Sequence, residues 1–230
     1  MHLLTPKERK KLKKYLWCKD IPWSVENKLW KKVEKYSSYF EKIPWIQCIC
    51  VCNSLAMNAC HENSDIDLFV ITKNDRLWTA RIWLTILTSL LRNRKNSHNH
   101  AGKFCLSFFV SEDEENLSDI AIKKDIYLTY WLETLTPIVN KNNAFEKFLE
   151  RNKLKDYNKN YTASNQRFYS QNNFTNNLWN VCEYILKNIF IKKALKKYEK
   201  LWKPSWVIIS DTMLKFHDKD KRREIRDNVL

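Results

Sequence analysis

The sequence predicts an α/β fold, a small sheet layered with helices and followed by a mostly helical extension. Two observations carry this. Three short apolar runs, 45–52, 65–72 and 103–111, alternate with segments of helical periodicity. From about residue 140 the chain turns polar and rich in Asn and Lys. The chain therefore divides into N-terminal helices over 1–42, an α/β core over 43–139 and a basic, mostly helical extension over 140–230.

The elements follow in order. "TPKERKKLKKYLWC" (5–18) sets Thr5 as N-cap, Pro6 at the first helical position and Glu8 as the partner of a capping box. "SVENKLWKKVEKYSSYF" (24–40) brings Val25, Leu29, Val33 and Tyr36 or Tyr39 onto one helical stripe. Pro44 breaks that pattern, and "WIQCICVC" (45–52) reads as a strand buried on both faces, with Cys48, Cys50 and Cys52 sharing one of them. Ser54 is placed to cap a short helix, "LAMNAC", before the polar loop "HENS". "DIDLFVIT" (65–72) is the second strand. A long helix over about 75–93 follows, and the loop "NRKNSHNHAG" leads to a third strand, "KFCLSFFVS" (103–111). After the acidic turn "EDEEN", a helix over 119–134 ends before Pro137. The extension holds a short helix near 144–151, a long one over about 175–202, a short strand-like piece and a charged tail.

Composition narrows the function. There are 41 Lys and Arg against 26 Asp and Glu, a formal net charge of +15, which favours a polyanionic partner. A single glycine in 230 residues rules out a Gly-rich phosphate loop. The seven cysteines, odd in number, form no C-x-x-C pair, so no zinc site is expected, and read as free thiols they point to a reducing, cytoplasmic compartment. The opening turns basic before any apolar core can form, so no secretory signal is expected. The apolar run 77–91, interrupted by Arg81, falls short of the roughly 20 residues a membrane span needs.

The chemistry concentrates in "CNSLAMNACHENSDIDLFVIT" (52–72). Residues i and i+2 of a strand project to one face, so Asp65 and Asp67 point the same way. Two carboxylates aimed together repel unless a cation lies between them. Oxygen ligands suit Mg²⁺ (or Mn²⁺), which also takes substrate phosphates into its shell. That is a layout for phosphoryl transfer, with the Ser54 hydroxyl and backbone N–H groups available to a triphosphate.

A strand, a small-polar turn at Asn53-Ser54, a short helix, a polar loop and Asp-x-Asp on a second strand resemble the DNA polymerase β nucleotidyltransferase superfamily. The likeness is nearer to a bacterial group of small nucleotidyltransferase-domain proteins. It rests on Asn53, Ser54, Leu55, Ala56, Met57, Asn58, Ala59, Glu62, Ser64, Asp65, Ile66 and Asp67, and continues through "KNDRLWTARIWLTILTSLL", "KFCLSFF", "FEKFLERN" and "FHDKDKRREI". The resemblance implies the minimal nucleotidyltransferase fold, a small mixed sheet flanked by helices. It implies Mg²⁺-dependent transfer of a nucleoside monophosphate from an NTP, ATP or CTP, to an acceptor hydroxyl. Asp65 and Asp67 would hold the metal and carry catalysis, and Asn53, Ser54 and Ser64 would line the phosphates.

Two positions depart from the superfamily pattern. Asn53 stands where a glycine precedes the serine, although asparagine tolerates left-handed backbone angles. The third carboxylate is missing. On 103–111 the inward candidates are Cys105 and Ser107, and Glu112 and Asp113 lie just past the strand, able to substitute only if the chain bends back.

The favoured acceptor is an RNA 3′ end, tRNA-like, because basic stretches with interleaved aromatics suit unpaired bases and phosphates. Lys192, Lys193, Lys196 and Lys197 are the candidate RNA contacts. The alternatives are nucleotidylation of a protein or small molecule, or a degenerate core kept as an RNA-binding module. His61 reads as a loop residue, His98 and His100 as a flexible-loop pair able to take a metal opportunistically, His217 as packing or a phosphate contact, and Arg81 as a snorkelling or paired cation, with a triphosphate contact the alternative.

Overall fold

A computed structural model describes residues 2–96, 99–114, 116–153, 177–200, 207–216 and 220–230. His98, His217 and the side chain of Lys197 lie outside the described residues. The architecture is mixed α/β: six strands form one sheet flanked by helices.

Two helices open the chain, α1 (Pro6–Tyr15) and α2 (Ser24–Glu41). The capping box expected of α1 is present: Glu8 N donates to Thr5 Oγ1 at 3.2 Å and Thr5 N to Glu8 Oε2 at 2.7 Å. The core then runs β1 (Ile46–Cys52), α3 (Asn53–Ala56), β2 (Ile66–Thr72), α4 (Leu77–Leu90), β3 (Phe104–Ser111), a 3₁₀ turn at Leu117–Ile120 and α5 (Ile126–Thr134). β4 (Thr136–Asn140), α6 (Ala144–Arg151), α7 (Asn177–Lys200), β5 (Ile208–Ile209), β6 (Met213–Lys215) and α8 (Arg222–Val229) complete the described elements.

The strand order is β4-β1-β2-β3-β6-β5. β2 runs antiparallel to β1 and parallel to β3, with α4 making the crossover a parallel pair requires. Alternation along the strands sorts the core into two layers. Cys48, Cys50, Cys52, Phe69, Ile71 and Phe108 face α1, α5, α6 and α8. Ile49, Val51, Leu68, Val70, Leu106 and Phe109 face α2 and α4, with Trp179, Phe190, Ile191 and Ala194 of α7 packed against that side.

Several elements differ from the sequence reading. Pro137, taken as a terminator, sits inside β4, which lies at the sheet's edge where a missing N–H is tolerated. The helix expected over 119–134 starts only at Ile126. Its N-cap, Asp125, accepts from Leu128 N at 2.9 Å and Ile122 N at 3.1 Å, so the residues before it turn away. The charged tail is itself a helix, α8, which buries Ile225 and Val229 in the core. Arg222 fixes its start, donating to Asp125 at 2.9 Å and Asp220 at 2.6 Å. The extension also adds two strands, β5 and β6, to the sheet through β3. No described helix is long and apolar enough to cross a membrane.

Candidate metal centre

The carboxylate pair stands where β1, β2 and β3 meet. Cys52, the last residue of β1, lies opposite Asp67 in the antiparallel ladder, and Cys105 lies beside Asp67 in the parallel one. Asp65, Asp67 and Cys105 present ligand atoms within 4.8 Å of one another, a group that could hold a metal ion. All three are half-buried.

Asp67 carries the electrostatic strain of the site. Burial and the charge of Asp65 raise its carboxyl to about 6, against hydrogen bonds from Asn53 and Cys105 and the charge of Lys95. The Cys105 thiol is pushed up to about 12, first by burial and then by Asp67, so without a metal it is protonated at neutral pH. Lys95 Nζ lies 2.6 Å from Asp65 Oδ2. That oxygen is shielded from solvent, and the Lys95 ammonium is its charge partner. Burial works against the charged form of Lys95, but Asp65 outweighs it and holds the ammonium above its usual range.

The turn explains Asn53. Its φ is 56°, the left-handed region that glycine would fill in the resembling pattern. Asparagine adds what glycine lacks: Oδ1 accepts from Trp131 Nε1 at 2.9 Å, and the side chain also hydrogen-bonds Asp67. Asn53 therefore links α5 to the carboxylate pair.

Ser54 and Ser64 are otherwise engaged. Ser54 lies within α3, after the cap position at Cys52, and its Oγ accepts from Cys60 Sγ at 3.7 Å; it does not cap that helix as expected. Ser64 closes the polar loop, Oγ accepting from His61 N at 3.0 Å and its carbonyl from Gly102 N at 2.8 Å. The loop is anchored from below by Glu26, fully buried on α2. Glu26 accepts from Cys60 N at 3.0 Å and Trp23 N at 3.0 Å and pairs with Lys19 at 2.7 Å. Burial pushes its carboxyl up, yet Lys19 and the backbone donors prevail and hold it below its usual value.

No third carboxylate reaches the pair from β3. Glu112 follows Cys105 by seven residues, about 23 Å along a strand at about 3.3 Å per residue. It accepts from Asn74 N at 3.3 Å, and Asp113 accepts from Asn74 Nδ2 at 2.5 Å. Both line a cavity of about 380 Å³ at that far end of the sheet. Ser107 lies beyond the Asp67–Cys105 pairing, where its carbonyl accepts from Phe216 N at 2.8 Å.

A smaller cavity, about 290 Å³, opens at the Asn53 turn. Asn53, Trp131, Phe108, Tyr127, Lys215 and Ile225 are among the residues that line it. Trp131 and Phe108 are stacked at 5.7 Å. The Tyr127 hydroxyl is driven upward by burial and by Cys52, Asp67 and Asp220, which ties this cavity electrically to the carboxylates. Lys215 is pushed down to about 8 by burial and by Arg222. The smaller cavity is the one that includes Asn53.

The remaining candidates are elsewhere. Lys192, Lys193 and Lys196 are exposed on α7, which packs on the sheet face opposite Asp67. Arg81 donates to the Leu106 carbonyl at 2.7 Å and covers Phe109 and Phe216, on that same opposite side. Burial pushes its guanidinium down to about 10.

Sequence reasoning missed Lys95, since it sits in a polar loop with no periodic signal. Trp131 and Tyr127 were hidden in an apolar helix. No family model, no curated protein and no solved structure matches this chain.

Proposed function

We propose that this protein is a divalent-cation-dependent nucleotidyltransferase, moving a nucleoside monophosphate from ATP or CTP to the hydroxyl of an RNA 3′ end in a reducing, cytoplasmic compartment. The observation that carries the reading is the Asp65–Asp67 pair one strand away from the Asn53 turn, with the aromatic cavity beside it. All seven cysteines are free thiols, in keeping with that compartment.

The two carboxylates fit a hard cation such as Mg²⁺ or Mn²⁺ through oxygen, and Asp65 and Asp67 would hold it. Bound there, it would neutralise phosphate charge. Cys105 is not a ligand a hard ion prefers. The aromatic cavity is near the lower size of ligand pockets, about 300 Å³, and Trp131, Phe108 and Tyr127 give it the character of a base-binding slot.

In the reaction the acceptor oxygen bonds the α-phosphorus while the bond from that phosphorus to the β-bridging oxygen breaks, and pyrophosphate leaves. The acceptor's proton needs a base. With the Cys105 thiol protonated and both carboxylates engaged as ligands, that proton would pass to solvent.

Lys95 favours a second reading, a core kept for binding alone, because an internal ammonium already offsets Asp65. One experiment separates the two. Each labelled NTP is incubated with Mg²⁺, total RNA or protein extract, and either wild type or Asp67→Asn. Label moved by wild type, with at least about a 100-fold loss in the variant, supports the enzyme. Label on protein rather than RNA changes the acceptor. No label from any NTP sinks the transfer reading.

A further inference from the structure

We propose that residues 16–23, with the exposed lysines of α1, form a docking surface for a single-stranded nucleic-acid end beside the carboxylate pair. The purpose of this surface rests on the transferase reading; its test does not.

The surface is defined by what it fails to bury. Trp17 is 84% exposed, Ile21 70% and Trp23 61%, three large apolar side chains within seven residues. Such a cluster on a chain with a full core marks an interaction site. Two of the three are indoles, which offer a flat face to an unpaired base and tolerate any sequence.

The backbone holds them in place. Cys18 N donates to Lys13 O at 2.9 Å and Trp17 N to Lys14 O at 3.2 Å, which fixes Trp17 at a φ of 58°. Lys19 N donates to Asn58 O at 2.9 Å, and Lys19 Nζ to Cys60 O at 3.1 Å while its ammonium lies 4.4 Å from the Trp23 ring. Buried Glu26 accepts from both Trp23 N and Cys60 N. A platform built this way loses little conformational entropy on binding.

Those same bonds give its location. Asn58 and Cys60 end the turn that begins at Asn53, and Asn53 contacts Asp67. Leu16, next to Trp17, lines the 290 Å³ cavity. A strand stacked on this segment therefore ends near the carboxylates, whereas one bound to the lysines of α7 would lie across the sheet from them.

Charge selects the partner. Lys7, Lys10, Lys11 and Lys14 are exposed on α1, and the chain carries a net +15. The acid in the segment, Asp20, is paired with Lys13 at 3.2 Å. Lysines along a backbone track and aromatics beside it are the two components of single-strand binding.

The test is fluorescence anisotropy of the full chain with a labelled oligoadenylate of about a dozen nucleotides, as RNA and as DNA, without NTP or metal. Trp17→Ala with Trp23→Ala, both at exposed positions, is expected to weaken binding at least about tenfold while leaving the salt dependence unchanged. Lys10→Gln with Lys14→Gln should instead flatten the slope of log affinity against log salt by about 1.4. Preference for the RNA strand would assign the 2′-hydroxyl a part; equal binding would assign the surface to either polynucleotide. Wild-type affinity in the double tryptophan variant overturns the proposal, as does binding to phosphatidylglycerol vesicles but to neither oligonucleotide. Because nucleotide and metal are absent, loss of oligonucleotide binding leaves transfer to a small acceptor open. Absence of transfer, conversely, leaves this binding result standing.

Discussion

Asp67 and Leu68 are adjacent in the chain and live in different environments, because β2 sends alternate side chains to opposite faces of the sheet. Leu68 enters a layer of aliphatic and aromatic residues under α2, α4 and α7. On the other side Phe69 and Ile71 continue a similar core, but toward the strand ends it gives way to Asp67, Cys105 and the Asn53 turn. One face is committed to stability throughout. The other stops packing where β1 ends and β2 begins, and places a carboxyl near pH 6 there instead. Packing and the candidate metal ligand are thus separated by parity within one strand, and a one-residue slip in register would exchange them.

Substituting the two neighbours should therefore have opposite effects on stability. Leu68→Ala removes a fully buried side chain and is expected to cost about 3 kcal/mol in urea denaturation, with Mn²⁺ binding retained. Asp67→Asn should stabilise the protein at pH 7.5 by about 2 kcal/mol, since the folded state resists the charge that the unfolded state accepts freely. For an acid raised from 3.8 to about 6, the folded state carries no penalty below the unfolded value. The penalty grows as pH rises between the two and is complete above 6. The variant's advantage should thus be greatest above pH 6 and vanish towards pH 4. An equal or lower stability of the variant at pH 7.5 would show that Asp67 is not strained.

How much of this was legible in the sequence also divides by parity. The strands over 45–52, 65–72 and 103–111 lie within one residue of their observed bounds at each end, and the three alternating cysteines do share a buried face. Period-two patterning and β-branched runs report local structure directly. Edge strand β4 was missed because Pro137 reads locally as a stop, and only its place at the margin of the sheet makes it acceptable. α8 was missed because Ile225 and Val229 are two apolar positions in a run of charge. The pair Asp65 and Asp67 was legible because strand geometry alone aims both carboxylates one way. Lys95 and Trp131 were not, since each reaches the site through tertiary contacts that no local spacing encodes.

Lys95 gives the comparison a sharper edge. Its ammonium lies 2.6 Å from one oxygen of Asp65, on the carboxylate that a cation would share. Lys95→Met should tighten Mn²⁺ binding about tenfold, equivalent to about 1.4 kcal/mol, by titration calorimetry. Weaker binding would mean that Lys95 organises the carboxylates for the metal rather than competing with it.

Asn53→Gly tests the smallest effect and the most specific one. Glycine adopts a φ of 56° without a Cβ penalty, so the backbone gains a few tenths of a kcal/mol, about 0.5, while Asn itself is tolerant there. Against that, Trp131 Nε1 loses its acceptor and Asp67 loses a donor, each costing about 1 kcal/mol or less at a half-buried site. The net change in stability should stay within about 1 kcal/mol. The titration of Asp67 should move more clearly. The hydrogen bond from Asn53 favours its charged form, so without it the midpoint rises above about 6, followed by carboxyl-carbon NMR from pH 4 to 9. An unmoved midpoint would show that Asn53 does not reach the ionised carboxylate, and that its only part is to hold the turn. A raised midpoint, with transfer activity lowered alongside it, would make asparagine a working component of this site rather than a substitute for the glycine of the resembling pattern.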